Sequence, residues 1–276
     1  MPRFILINPS ERKIFFEDLK SKIDSSWEAF YPKYNISRSM FFNYLSGRYF
    51  IPKKLFWRWV NEYSLKIPSI KEKVRPKYTR KKILKANLDE QLSEFIGAVN
   101  GDGHVAASNY EVCIVCDARE KDYLIHLNKI ARSIFGTSFC FLYEPTRIKL
   151  RIYSKDIHKF LIEEFGLPVG NKLGKLKIPL QIKPSKKLLI AYIRGLFDTD
   201  GSFYLRRGKD PVVEITSADE NFLNEVKGVL ALLGFNPSNG KNRTFLYRKE
   251  DILRFFNRVK PANSKHLKKY QSFLNL

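Results

Sequence analysis

Two nine-residue stretches of this chain follow one pattern: Phe95-Ile96-Gly97-Ala98-Val99-Asn100-Gly101-Asp102-Gly103 and Ile193-Arg194-Gly195-Leu196-Phe197-Asp198-Thr199-Asp200-Gly201. Each is an apolar run with glycine at its third position, and each ends in Asp-Gly. The repetition indicates two related halves, each contributing one carboxylate to a shared site. Two carboxylates that meet in a strongly basic chain point to metal-dependent chemistry on nucleic acid.

The glycines inside the two stretches predict a close helix pair. Gly97 and Gly195 have no side chain, so helices that carry them can pack backbone against backbone. Their last turns then lie side by side, with Asp102 and Asp200 just beyond them. Such carboxylates repel each other unless a cation lies between them. Because Mg²⁺ or Mn²⁺ binds carboxylate, carbonyl and water oxygens, the pattern predicts a divalent-metal site.

The charge balance favours a polyanionic partner. The chain of 276 residues has 50 Lys and Arg against 28 Asp and Glu, a net charge of +22. Basic side chains release counterions from phosphates, which makes nucleic acid the favoured partner over a membrane surface or an acidic protein. A basic chain with no such partner is the plain alternative. The 44% of hydrophobic residues argues against wholesale disorder.

No segment reads as a membrane span or a leader. The longest apolar runs fall short of the roughly 20 residues that a membrane helix needs, and the start has only a short apolar patch at residues 4–7. We therefore expect a cytoplasmic, nucleoid-associated protein with no membrane partner.

The chain divides into three sections by pattern. Residues 1–66 are rich in aromatic residues and predict a small all-α domain, and residues 67–87 read as a basic linker. The repeat follows, with a first half at 88–180 and a second at 181–276. The predicted fold class is α+β.

Each half predicts the order αββαββα from its hydrophobic periods and turn residues. The predicted segments are 88–100, 104–107, 111–117, 120–135, 139–143, 148–153 and 156–165 in the first half, then 187–198, 202–205, 212–216, 219–233, a hairpin in 241–248, and 251–259.

The front section predicts a helix, a tight turn at 34–37 and a second helix at 37–47 that stops at a glycine. With the Ser-Gly-Arg-Tyr-x-Ile-Pro that follows, the passage resembles the repressor-type helix-turn-helix family. The resemblance directs the start of the second helix to a major groove and a later arginine to phosphate. The residues concerned are Ser37, Arg38, Ser39 and Asn43 for the groove, and Arg48 for phosphate. The alternative is a packing domain with a solvated basic face.

The two nonapeptides, each followed by the same ββα pattern, resemble the motif of the LAGLIDADG homing endonucleases in their single-chain, two-motif form. The Gly-Asn-Lys-x-x-Lys-Leu-Lys-Ile-Pro passage at 170–179 is also similar to that family. The resemblance implies a monomeric, Mg²⁺-dependent endonuclease whose two β-sheets form a saddle on a long, non-palindromic double-stranded DNA target. It makes Asp102 and Asp200 catalytic metal ligands, with the backbone carbonyls of Gly101 and Thr199 as further ligands.

Two departures from the motif stand out. The sixth position is Asn100 in the first stretch and Asp198 in the second, and Ile96 and Arg194 replace the small second residue. Arg194 must point outward from the helix pair if the glycine packing is to hold.

Basic residues complete the predicted site. A cation near the scissile phosphate supports such chemistry, and the candidates are Lys172 in the first half and Lys265, weighed against Lys241, in the second. Residues predicted to contact DNA from the hairpins are Arg147, Lys149, Arg151, Arg206, Arg207, Lys209, Arg243, Tyr247 and Arg248, together with Glu111 and Glu214.

Two other functions remain open at this level. An intron RNA maturase would use the same fold on RNA. A transcription regulator would join the helix-turn-helix to a catalytically retired scaffold, and the loss of either acid would have supported it.

Overall fold

The computed structural model describes residues 3–74 and 86–275. The chain divides into two compact units, residues 1–81 and 82–276. Most of the predicted linker, residues 75–85, lies outside the described residues. Within the described ranges, none of the helices combines the length and apolarity needed to cross a membrane.

The first unit contains helices and a small sheet. Its helices are α1 (Pro9–Lys22), α2 (Trp27–Lys33), α3 (Arg38–Ser46) and α4 (Lys53–Glu62), and its strands are β1 (Arg3–Ile7), β2 (Ile51–Pro52) and β3 (Ile70–Val74). The strands form an antiparallel sheet in the order β2-β1-β3.

This sheet corrects the prediction of an all-α front domain. The strand β1 buries Ile5 and Ile7 against the helices, and its partner β3 lies within the predicted linker. The segment Ile70–Val74 is rich in charge, with Glu72 opposite Ile5 in the register, and so it reads as linker by composition. Charged residues are common on edge strands because they discourage pairing with other chains.

The predicted helix-turn-helix segments occur in the first unit. The turn between α2 and α3 carries Asn35 in a left-handed conformation with φ 56°. Ser37 caps α3 by accepting a hydrogen bond from Met40 N at 3.3 Å, and Gly47 ends it at φ 75°. Phe41 of α3 packs edge-on against Trp59 of α4, with ring centroids 6.2 Å apart. The aromatic content of this section therefore forms its core.

The second unit confirms the duplicated order. Its first half contains α5 (Glu90–Asn100), β4 (Gly103–Val105), β5 (Glu111–Asp117), α6 (Lys121–Phe135), β6 (Cys140–Tyr143), β7 (Arg147–Tyr153) and α7 (Lys155–Phe165). Its second half contains α8 (Lys186–Asp200), β8 (Gly201–Arg206), β9 (Asp210–Thr216), α9 (Glu220–Leu232), β10 (Ser238–Gly240), β11 (Arg243–Leu246) and α10 (Lys249–Val259).

The two sheets share one connectivity. They run β4-β5-β7-β6 and β8-β9-β11-β10, and all their strand pairs are antiparallel. The predicted α+β class with two αββαββα halves is thus confirmed.

One element of the second unit was not predicted. A last helix, α11 (Ser264–Leu274), follows the second half. It packs Tyr270 flat on Phe256, with ring centroids 3.8 Å apart, and buries Phe273. The spacing of Leu267, Tyr270 and Phe273 is helical and signals this element. The start of this helix is tied to the second motif helix, because Asp198 of α8 accepts hydrogen bonds from Ala262 N and Asn263 N just before α11.

Candidate active site

The two motif helices, α5 and α8, pack backbone against backbone at their glycines. A Cβ added at Gly195 would lie 2.8 Å from Ala98 N and closer still to the Glu94 carbonyl oxygen. A Cβ added at Gly97 would lie 3.0 Å from Leu196 N and closer still to the Tyr192 carbonyl oxygen. The role predicted for these glycines is therefore confirmed: any side chain would force the helices apart.

The ends of the two helices meet at the acids. A Cβ added at Gly101 would lie 2.9 Å from Thr199 Cβ and 3.5 Å from Asp200 Cγ, so the Gly101–Asp102 turn lies directly against the end of α8. The Asp102 carbonyl accepts a hydrogen bond from Val115 N at 3.1 Å, and the Asp200 carbonyl accepts one from Thr216 Oγ1 at 3.1 Å. The first hairpin of each half therefore holds the backbone of its own acid.

The electrostatics of the acid pair favour a bound cation. Burial, followed by repulsion from Asp102, raises the pKa of Asp200 to about 7, although Lys172 and Lys265 oppose the shift. Partial burial also raises the pKa of Asp102. Because the Asp102 residue is exposed to solvent, we expect its pKa to be raised less than that of Asp200. A divalent cation would relieve both the burial cost and the repulsion.

The donors present fit a Mg²⁺-type ion. The carboxylates of Asp102 and Asp200 lie close enough to repel each other, at the ends of the two motif helices. Mg²⁺ takes one or two protein carboxylates and keeps waters or substrate phosphates as its other ligands. Of the two carbonyls implied as ligands, that of Gly101 already accepts a hydrogen bond from Lys172 Nζ. The Thr199 hydroxyl lies against Gly101 and donates to Gly195 O at 3.0 Å; the Thr199 carbonyl stays a predicted ligand.

Both predicted catalytic lysines lie near the acids. The ammonium of Lys172 donates to Asn100 O at 3.0 Å as well as to Gly101 O, and burial lowers its pKa. The ammonium of Lys265 pairs with Glu120 at 2.7 Å and acts electrostatically on Asp102 and Asp200. The rival candidate Lys241 is exposed in the turn between β10 and β11. The structure therefore brings Lys265, rather than Lys241, to the acid pair.

The sixth motif positions are buried anchors and do not face the acids. Asn100 donates to Lys177 O at 3.1 Å and to the Tyr192 hydroxyl at 2.8 Å. Asp198 accepts from Ala262 N at 2.7 Å and Asn263 N at 3.1 Å. Burial raises the pKa of Asp198 to about 7, and those two hydrogen bonds oppose the shift.

Arg194 does not simply point outward from the helix pair: it bonds to α10 and to the opposite motif helix α5, and 20% of its side chain is exposed. Its Nε donates to Val259 O at 2.7 Å, at the negative end of α10, and its Nη1 donates to Glu94 at 2.8 Å. The other oxygen of Glu94 lies 2.6 Å from His126 Nε2. Sequence reasoning missed this network, although an acid inside an apolar motif helix signals that Glu94 has a partner.

A family model described as a LAGLIDADG-like domain matches residues 187–260, which run from α8 to α10. This part of the chain is similar to LAGLIDADG-like domains. The resemblance drawn from the two motifs is therefore confirmed in its second half by an independent match.

Two curated relatives are DNA polymerases. The chain is 30% identical over 163 residues to the DNA polymerase of Thermococcus sp. (strain GE8), which covers 56% of this chain and 9% of that protein. It is 26% identical over 158 residues to the DNA polymerase of Thermococcus litoralis, covering 52% of this chain and 8% of that protein. The chain thus matches less than a tenth of either polymerase.

Among solved structures the chain is similar to I-DmoI in complex with DNA and Mn, with 16% identity, a TM-score of 0.46, and coverage of 63% of this chain and 97% of that one. It is also similar to full-length DUF199/WhiA from Thermatoga maritima, with 14% identity, a TM-score of 0.46, and coverage of 73% and 62%.

In the first half, the predicted DNA contacts share one strand face. Arg147, Lys149 and Arg151 alternate along β7 with buried apolar residues. Glu144 pairs with both Arg147 and Lys149, and Glu111 lies 3.7 Å from Arg151. The acids hold the basic groups on the surface of the sheet, away from the core.

In the second half, the predicted contacts fall into three places. Arg243 pairs with Glu214 at 3.2 Å, and the Tyr204 hydroxyl donates to the same carboxylate at 3.1 Å. The exposed hairpin tip between β8 and β9 and the exposed end of β11 hold the others. These are Arg206, Arg207 and Lys209 at the tip, and Tyr247 and Arg248 after β11.

The predicted contacts of the first unit lie at the start of α3 and just beyond it. Arg38, Ser39 and Arg48 are exposed, and Asn43 is half-buried. The Arg38 guanidinium stands over the ring of Phe42, 5.7 Å from its centroid. These residues are available to a partner from outside the unit.

The acid pair predicts a specific pH dependence of stability. The Asp200 pKa of about 7 exceeds its ordinary value of 3.8, so the protonated acid stabilises the fold below about pH 4 and that contribution is lost as pH rises through about 7. We expect wild-type protein to lose stability relative to Asp200→Asn over this window, in urea unfolding with a chelator present. Asp198 is present in both proteins, so its titration does not contribute to the difference in stability between them.

Saturating Mg²⁺ is expected to restore the wild type at high pH and to leave Asp200→Asn unchanged, since a ligand stabilises only the state that binds it. Parallel pH profiles for the two proteins without metal would contradict the raised pKa.

Proposed function

We propose that this chain is a divalent-metal-dependent, site-specific double-strand DNA endonuclease in which one acid serves each strand. The observation that carries the proposal is the meeting of Asp102 and Asp200 at the ends of two packed helices, with Lys172 and Lys265 beside them. A catalytically retired scaffold would have no need to keep two acids whose ionisation is costly. The net charge of +22 suits a polyanionic substrate.

The residues of the site divide the chemistry between them. When bound, a cation such as Mg²⁺ or Mn²⁺ would polarise the phosphate and lower the pKa of the attacking water. Asp102 and Asp200 are the residues that would hold that cation. Lys172 donates to the carbonyl oxygens of Asn100 and Gly101 and forms no ion pair with a carboxylate in the described part of the chain, so it can turn to a phosphate oxygen without breaking one. Lys172 and Lys265 thereby stabilise charge that develops on the phosphate.

The two sheet faces supply the recognition. Arginine side chains read guanine edges, whereas lysines mostly bind phosphates. The first face presents Arg147, Lys149 and Arg151, and the second presents Arg243 beside Glu214. Because the two faces carry different side chains at related positions, one chain can read a target that is not a palindrome. We therefore infer a monomer on a long asymmetric site.

A cleavage screen on a randomised duplex library tests the function. We expect staggered double-strand cuts at one sequence class with Mg²⁺ or Mn²⁺, and none with a chelator. Sequence-specific duplex binding without cuts in any divalent metal would favour the regulator. Tight binding to a folded intron RNA, without duplex cutting, would favour the maturase.

The first unit is proposed to add a separate DNA contact that raises the local concentration of the target. Arg38→Ala with Arg48→Ala is expected to weaken DNA binding by at least roughly 30-fold, because each of the two contacts is worth about 1–3 kcal/mol, and to leave cleavage at saturating DNA unchanged. Lys13→Ala is the control, since Lys13 is an exposed α1 lysine that pairs with Glu17. If the wild type, the double arginine variant and Lys13→Ala all bound DNA with equal affinity, the first unit would have only a packing role.

A further inference from the structure

A chain of polar contacts crosses from the first half to the second at Lys265. The Lys265 ammonium lies 2.7 Å from Glu120 Oε1, and that oxygen also accepts from Asn263 Nδ2 at 2.7 Å. The other oxygen of Glu120 accepts from Asp117 N at 3.1 Å. Glu120 ends a 3-10 turn of the first half, Ala118–Glu120, that lies between β5 and α6, whereas Lys265 belongs to α11. Glu120 of the first half therefore holds Lys265, which lies in the helix after the second half.

The same chain ties the start of α11 to the second motif. Asn263 is fully buried and donates from its side chain to Asp198 O at 2.9 Å. Its own side-chain oxygen accepts from Lys265 N at 3.1 Å. Since Asp198 also accepts two backbone N–H groups at this point, the backbone of Lys265 is held firmly relative to α8. Glu120 then determines where the long side chain points.

Lys172, the lysine of the first half, has different hydrogen-bond partners from Lys265. Lys172 follows α7 much as Lys265 follows α10, and Asn100 holds its segment by donating to Lys177 O at 3.1 Å. The Lys172 ammonium, however, bonds to backbone carbonyls, and no salt bridge to it occurs among the described residues. The halves therefore match in the placement of their lysines and differ in what restrains them.

We propose that Glu120 is a positioning residue for Lys265, and that it makes the two strand cleavages unequal. The cleavage served by Lys265 depends on Glu120, and the cleavage served by Lys172 does not. This inference rests on the proposed endonuclease function. The Glu120 side chain is only 12% exposed, so its carboxylate is itself held in place and restricts the rotamers of the lysine. Without the ion pair to Glu120, Lys265 samples many rotamers, and its ammonium is no longer held in the position proposed for contact with the phosphate.

Glu120→Gln tests the proposal because it keeps the shape and an acceptor for Asn263 but removes the charge that holds the ammonium. Single-turnover nicking is measured for each end-labelled strand of the duplex selected in the library screen. We expect one strand to slow by roughly 10- to 100-fold and the other to keep its rate. In a Lys265→Met background, Glu120→Gln is expected to have no further effect.

Two further variants provide a rescue and a control for this experiment. Glu120→Asp keeps the charge and is expected to recover most of the rate of the slowed strand. Glu163→Gln removes an exposed α7 acid that pairs with Lys159 at 3.3 Å, and it is expected to change neither strand. Equal slowing of both strands by Glu120→Gln, or a further loss in the Lys265→Met background, would overturn the positioning role.

A second readout needs neither DNA nor activity. An N-hydroxysuccinimide ester labels lysines of the free protein, and mass spectrometry measures the rate at each one. Glu120→Gln is expected to raise labelling of Lys265 several-fold and to leave Lys172 unchanged. Unchanged labelling of Lys265 would refute the proposal by itself. A wild type that cuts no duplex would refute the endonuclease proposal alone, while the labelling still decides whether Glu120 holds Lys265.

Discussion

Asp102→Asn and Asp200→Asn are each expected to lower double-strand cleavage by at least about 10³-fold, with DNA affinity kept within a few-fold. An amide is neutral and binds Mg²⁺ far more weakly than a carboxylate does. Neither substitution removes a basic side chain proposed to bind DNA, so binding should survive. Single-turnover cleavage and fluorescence anisotropy on the same duplex separate the two effects.

Asp156→Asn is the matched control for this experiment. It removes one exposed acid from the first turn of α7, outside the proposed site, and it is expected to cut at the wild-type rate. A double Asp102→Asn and Asp200→Asn variant that still cuts with Mg²⁺ would show that the chemistry lies elsewhere.

Gly195→Ala is expected to destabilise the second unit by roughly 3–5 kcal/mol, at the upper end for single substitutions. The new Cβ would meet backbone atoms of Glu94 and Ala98, the latter at 2.8 Å. Backbone inside a packed helix pair yields only if α5 and α8 separate. The free energy of unfolding in urea measures the loss. Separation would also move Asp200 away from Asp102, so we expect cleavage to fall in the fraction that still folds.

Gly228→Ala provides the matched control. Gly228 is also a helical glycine, on the exposed side of α9, and an added Cβ there meets no atom within 4 Å. The substitution is expected to stabilise the protein by up to about 1 kcal/mol through helix propensity. If the two alanine variants had equal stabilities, the close contact at Gly195 would not matter to the fold.

Local patterns predicted the elements well where one period dominated. The alternation in β7 and the helical spacing around Gly97 are visible in the sequence because each depends on neighbours a few residues away. The strand β3 was missed because its charged residues at an exposed edge resemble those of a linker. The helix α11 was missed despite the spacing of Leu267, Tyr270 and Phe273.

The sequence by itself determined the duplicated halves and the helix pair packed at Gly97 and Gly195, and it predicted the meeting of Asp102 and Asp200 at the ends of that pair. These follow from short repeated patterns. Only the tertiary structure decided that Lys265 rather than Lys241 reaches the acids, and that Asp198 holds the start of α11. Those roles depend on contacts such as Asn263 with Glu120, which are 143 residues apart. No local period records where a long side chain meets a partner that distant in the chain.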